Sequence, residues 1–144
     1  MGKLHLRVRF DYVGNGKNKK SLFGGKSLEQ NAEETRQQKA SMLRNVPIQG
    51  ICIEDIDMGQ DIYSVYDEIN GREIAYAPVI ITFTANSMEH VIKFTAKEEL
   101  RVVQVLEPEE MALSSLEIER LLIAMSEEMV DYKRLLERKV NNWR

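Results

Sequence analysis

Between residues 116 and 143, side chains recur at alternating steps of four and three: Ile118, Leu122, Met125, Met129, Tyr132, Leu136 and Trp143, with Lys139 filling the one polar place in the series. This is a heptad seam, the pattern of a helix that offers one continuous apolar edge to another helix. At 1.5 Å per residue the helix is about 40 Å long, more than the width of a body built from the rest of the chain. An amphipathic helix folded back over its own sheet would bury Leu121, Leu122, Met125 and Met129. It would leave Tyr132, Leu135, Leu136, Val140 and Trp143 uncovered, and these continue into the last turns, where chains usually fray. The seam is therefore expected to meet a second copy or another protein, with residues 1–113 as the body and 114–144 as the association helix.

The body has enough material for its own core. The chain has 144 residues, 43% apolar and 30% charged, within the range of folded globular proteins. Leu4, Leu6, Val8, Phe10 and Tyr12 alternate with Lys3, His5, Arg7, Arg9 and Asp11, which predicts a strand with one buried and one charged face. A Gly- and Lys-rich loop over 14–26 follows. Ser27 with Gln30 matches a capping box, and good helix formers run to Arg44 before Pro47. Alternation through Ile51 and Ile53 predicts a second strand, where Cys52 is expected to pack as a small hydrophobe. Asp61–Ile69 and Arg72–Ala85 flank Asn70-Gly71, which predicts a hairpin with a two-residue type I′ turn; Pro78 is expected at an edge or bulge. Ser87 caps a short helix, Leu100–Leu106 is a last strand, and Ser114 or Ser115 caps the long helix.

That order of elements predicts an α+β fold: a ferredoxin-like split βαβ sheet with an added hairpin strand and a long C-terminal amphipathic helix. The run Val103-Gln104-Val105-Leu106-Glu107-Pro108 resembles one short pattern in the C-terminal extension of WYL-domain transcription regulators. There a strand of a ferredoxin-like module also leads to a proline and a helix. The resemblance implies fold alone, since the chain carries neither a helix-turn-helix nor a WYL core.

Three constellations bear on function. Lys17, Lys19, Lys20 and Lys26 on the glycine-rich loop, extended by Arg7 and Arg9, form an anion-binding candidate for phosphate or nucleic acid, against a net charge of −3 for the whole chain. The loop ends in Gly25-Lys26-Ser27, but a P-loop needs glycine where this chain has Lys20, so that motif is excluded. Asp11, Asp55 and Asp57 end two strands that run parallel in a ferredoxin-like sheet, which makes them a metal-binding candidate of oxygen ligands. His5 and His90 read as surface residues, and no nucleophile motif or zinc spacing is present.

The leading expectation is a non-enzymatic subunit or regulatory binding module that self-associates or docks through its C-terminal helix, without a cofactor. A nucleic-acid or phosphate-binding accessory protein is the alternative, and a small metal-dependent nucleotide enzyme the third reading. A lone cysteine and the lack of any apolar run of roughly 20 residues point to a cytoplasmic chain that does not cross a membrane.

Overall fold

A computed structural model describes residues 3–14 and 27–142 as five strands and three helices. In chain order these are β1 (Leu4–Val13), α1 (Leu28–Asn45), β2 (Ile51–Asp57), β3 (Tyr63–Asp67), β4 (Arg72–Ala85), α2 (Met88–Thr95), β5 (Leu100–Glu107) and α3 (Ser115–Asn141). The strands form one open antiparallel sheet ordered β2-β4-β1-β5, with β3 pairing β4 beside β2.

The alternation in β1 sends Leu4, Leu6, Val8, Phe10 and Tyr12 to one face, where they meet Val79, Ile81, Phe83 and Ala85 of β4 and Val91 and Phe94 of α2. Phe94 anchors this layer, with its ring edge-on to Phe83 at 4.8 Å and to Phe10 at 6.0 Å. Helix α1 covers the same face further along. It starts as its capping box predicts: the Ser27 hydroxyl accepts from the Gln30 amide at 3.1 Å, and the Gln30 side chain accepts from the Ser27 amide at 3.0 Å. Ala32 has no exposed surface and packs on Ala75 and Ala77 of β4, so small side chains set the close approach of helix and sheet. Among the described residues no helix covers the opposite face of the sheet, which carries His5, Arg7 and Arg9.

Four local expectations are corrected. Pro78 stands in an interior strand. β2 pairs with the Ile80–Ala85 end of β4 and β3 with the Arg72–Tyr76 end, so along that side of β4 the positions between them have no partner strand. The Pro78 carbonyl turns into this gap and accepts from the Arg36 guanidinium at 3.3 Å; the missing amide hydrogen costs no ladder bond there. The hairpin before β4 has a four-residue loop, since Asp67 pairs with Arg72 and only Gly71 takes a positive φ, of 65°. The Asp67 carboxylate accepts from the Ile69 and Asn70 amides and from the Asn70 side chain, which winds the chain into a longer turn. These bonds, the Asn70 side chain's first, hold the Asp67 carboxyl below its ordinary range. Cys52 is exposed, because Ile51 and Ile53 take the inward positions on either side of it. His90 is half-buried rather than on the surface. Its ring lies over Gly50, φ 73°, so closely that a β-carbon there would come within 2.2 Å, and its Nδ1 lies 2.8 Å from the Ser87 hydroxyl.

Candidate association surface

Helix α3 begins at Ser114, whose hydroxyl accepts from the Glu117 amide at 3.2 Å. Glu117 lies at its positive end, and Arg138 and Lys139 at its negative end. The helix touches the body chiefly through α2. Ala124 is only 1% exposed and is flanked by the half-buried Glu117, Leu121 and Glu128, so these four form the docking stripe. Beyond Glu128 every described residue of α3 is exposed, and Lys139 reaches back to Glu98, past the end of α2, in a 3.8 Å ion pair.

The predicted seam is a different stripe. Ile118, Leu122, Met125, Met129, Tyr132 and Leu136 are all exposed, Leu122 at 62% and Met129 at 71%. Trp143 lies outside the described residues. At 100° per residue the centre of the seam is about a quarter turn around the helix from the docking stripe. The helix therefore does not fold back to bury Leu122, Met125 and Met129; of the residues expected to pack in that way, Leu121 alone is half-buried. The docking stripe was legible only as a small residue, Ala124, set at helical spacing between Leu121 and Glu128. The stronger apolar pattern beside it drew the reading away. Further unburied apolar area lies on β5, where Val102, Val103 and Val105 are each about half-exposed on a strand whose outer edge has no partner among the described residues.

The anion-binding candidates separate. Lys17, Lys19, Lys20 and Lys26 lie outside the described residues. Arg7 reaches the Thr82 hydroxyl at 3.4 Å, and Arg9 is committed to Asp11, with its Nε 2.8 Å from one carboxylate oxygen and a second nitrogen 3.2 Å from the other. The hydrogen bond that Arg9 donates to Asp11 raises the Arg9 pKa above its ordinary value, so Arg9 is held as a cation.

The carboxylate candidates also stand apart. β1 and β2 run parallel, as expected, but β4 lies between them: Asp11 is opposite Pro78, while Asp55 and Asp57 are opposite Thr82 and Ile80. Two strand spacings separate β1 from β2, about 10 Å. Asp11 is 2% exposed and already occupied, since it accepts from Arg9 and from the Tyr63 hydroxyl and has Arg101 at 4.0 Å. Asp57 accepts from the Gly59 amide at 2.8 Å. Among the described residues no group of three or more His, Cys, Asp or Glu side chains could hold a metal ion.

Around Asp11 the open face carries a cluster: the cross-strand pairing of Tyr63 and Tyr76 is expected from the hairpin, but their link to Asp11 and Arg101 is not legible in the sequence. Tyr63 stacks on Tyr76 at 5.3 Å, and the Arg101 guanidinium lies over the Tyr76 ring at 5.6 Å. Burial, and then the bond to Asp11, push the Tyr63 hydroxyl pKa above that of free tyrosine. Tyr63 is held protonated as a donor to Asp11, and the Asp11 carboxylate, met by Arg9 and Arg101, braces β1, β3, β4 and β5.

Comparison with protein-family models, with curated proteins and with solved structures finds no match. Among the described residues no helix is long and apolar enough to cross a membrane.

Proposed function

We propose that this protein is an association module: a ferredoxin-like body that presents α3 as a docking helix and acts by holding a partner. The single observation that carries the reading is the seam, six heptad-spaced apolar side chains on one edge of one helix, all exposed. Exposed apolar residues scattered singly are ordinary, but a contiguous stripe at heptad spacing is a helix-pairing surface left open. The ferredoxin-like frame is supported by the antiparallel order β2-β4-β1-β5 with two helices on one face, β3 being the added strand. Such a frame holds α3 by its N-terminal half and leaves the apolar edge of the rest uncovered.

The test is methionine oxidation in the cell of origin. Met125 and Met129 on the seam should be oxidised several-fold more slowly in cells than in dilute purified protein. Met111, exposed and off the seam, is the internal reference. Equal oxidation in the two settings would show an unoccupied seam and sink the reading.

A further inference from the structure

The charge pattern along α3 names the occupant of the seam. In the N-terminal half, Glu117, Glu119, Glu127 and Glu128 stand against the single cation Arg120. The C-terminal half is the reverse, with Lys133, Arg134, Arg138 and Lys139 against Asp131 and Glu137. A helix with one acidic and one basic half is complementary to a copy of itself turned end for end. Side by side in the same direction, two copies would put acid on acid and base on base, with their dipoles aligned unfavourably.

We infer that the partner is a second copy of this chain, its α3 packed antiparallel along the seam with Ile118 beside Leu136 of the other copy. This rests on the reading of the seam as an association surface. The register follows from the residues. Setting Ile118 against Leu136 sets Leu122 against Tyr132 and Met125 against Met129, each layer formed twice about a two-fold axis level with Glu127, so no apolar seam residue from 118 to 136 is left over. Lys139, the polar place in the series, then falls opposite Ser115 at the partner's helix start; a parallel pairing would bury it against its own copy. On one flank Glu119 meets Lys133 twice, and on the other Leu121 meets Leu135 twice. One pair opposes the arrangement: Glu128 meets Glu128 near the axis. The seam lies about a quarter turn from the face held by α2, so the second helix can dock without displacing α2.

The experiment is sedimentation equilibrium of the full chain with charge reversals on the flank. The unmodified chain should be dimeric at tens of micromolar. Glu119→Lys and Lys133→Glu, each alone, turn two attractive pairs per dimer into two repulsive ones and should weaken dimerisation about tenfold. The double variant should return to the unmodified affinity, and a mixture of the two single variants should form heterodimers, since each copy then supplies what the other lacks. A merely structural role for either residue would give neither rescue. Glu128→Gln should tighten the dimer. A monomer at tens of micromolar overturns the inference, and a dimer without rescue overturns the antiparallel register. Either failure combined with protected Met125 and Met129 in cells leaves the association reading standing with a different partner; unprotected methionines remove both.

Discussion

Helices α1 and α3 behave opposite to what their compositions suggest. α1 has few large apolar side chains, Leu28, Met42 and Leu43, yet it is seated on the sheet by a buried row of Ala32, Thr35, Arg36 and Ala40. α3 carries many more, and its only buried residue is Ala124. In both helices the fully buried positions include alanine, which lets backbones approach, while the larger apolar side chains lie elsewhere. Bulk apolar residues on α3 instead lie on a face that nothing among the described residues covers. Apolar content therefore does not tell which face of a helix is buried within the chain.

The sharpest way to break this comparison is to damage each helix where it works. Arg36→Met should cost the folded body about 3 kcal/mol, because Arg36 donates to the carbonyls of Gln60 at 2.8 Å and Pro78 at 3.3 Å and no backbone amide replaces it. Chemical denaturation measures it, and a loss under about 1 kcal/mol would show the gap in the sheet to be open to water.

A smaller effect is expected at alkaline pH. Tyr12 lies in the core with Lys39 above its ring at 5.9 Å, and burial, then Glu99, raise its hydroxyl pKa well above that of free tyrosine; Tyr63 is raised as well. The folded state therefore keeps protons that the unfolded chain releases above about pH 10. Stability is fully present below that pH and falls as pH rises, by up to about 1.4 kcal/mol per pH unit for one such group. Tyr12→Phe should flatten the alkaline limb of the stability profile, and an unchanged limb would place the ring in water.

The smallest effect on folding belongs to the seam. Met129→Glu with Leu136→Glu should leave the denaturation midpoint of dilute protein within about 0.5 kcal/mol, since both side chains already face solvent, while abolishing association. Loss of folding in that variant would mean that α3 is held to its own body more tightly than its exposed residues indicate.

What the sequence told in advance was what is local. The β1 alternation, the Ser27, Ser87 and Ser114 caps and the heptad spacing of α3 each depend on neighbours within a few residues, and each element formed where it was expected. Arg36 and Asp11 were not legible in their roles, because their partners Pro78 and Tyr63 lie 42 and 52 residues away. The type I′ expectation failed for a local reason: Asn70-Gly71 favours a two-residue turn, but Asp67 offers three hydrogen bonds that only a longer loop can use. Cys52 is apolar in sequence and exposed in the fold, because strict alternation between Ile51 and Ile53 places it outward.

The arrangement of β4 bears on how the molecule is made. Among the described residues β2 and β3 pair only with β4, and β1 pairs only with β4 and β5. A chain emerging from the ribosome therefore has no strand to pair until β4 begins to leave the exit tunnel, and its first strand waits for Tyr76 to meet Val13. Until then β1 and β2 are unpaired apolar segments in solution, while α1 can already form through its own capping box. Synthesis thus passes through an interval in which the helix is ready and the sheet is not, and β4 ends that interval in one step. Such long-range pairing is slow to close, so this is the stage at which the apolar faces of the strands stand longest in water.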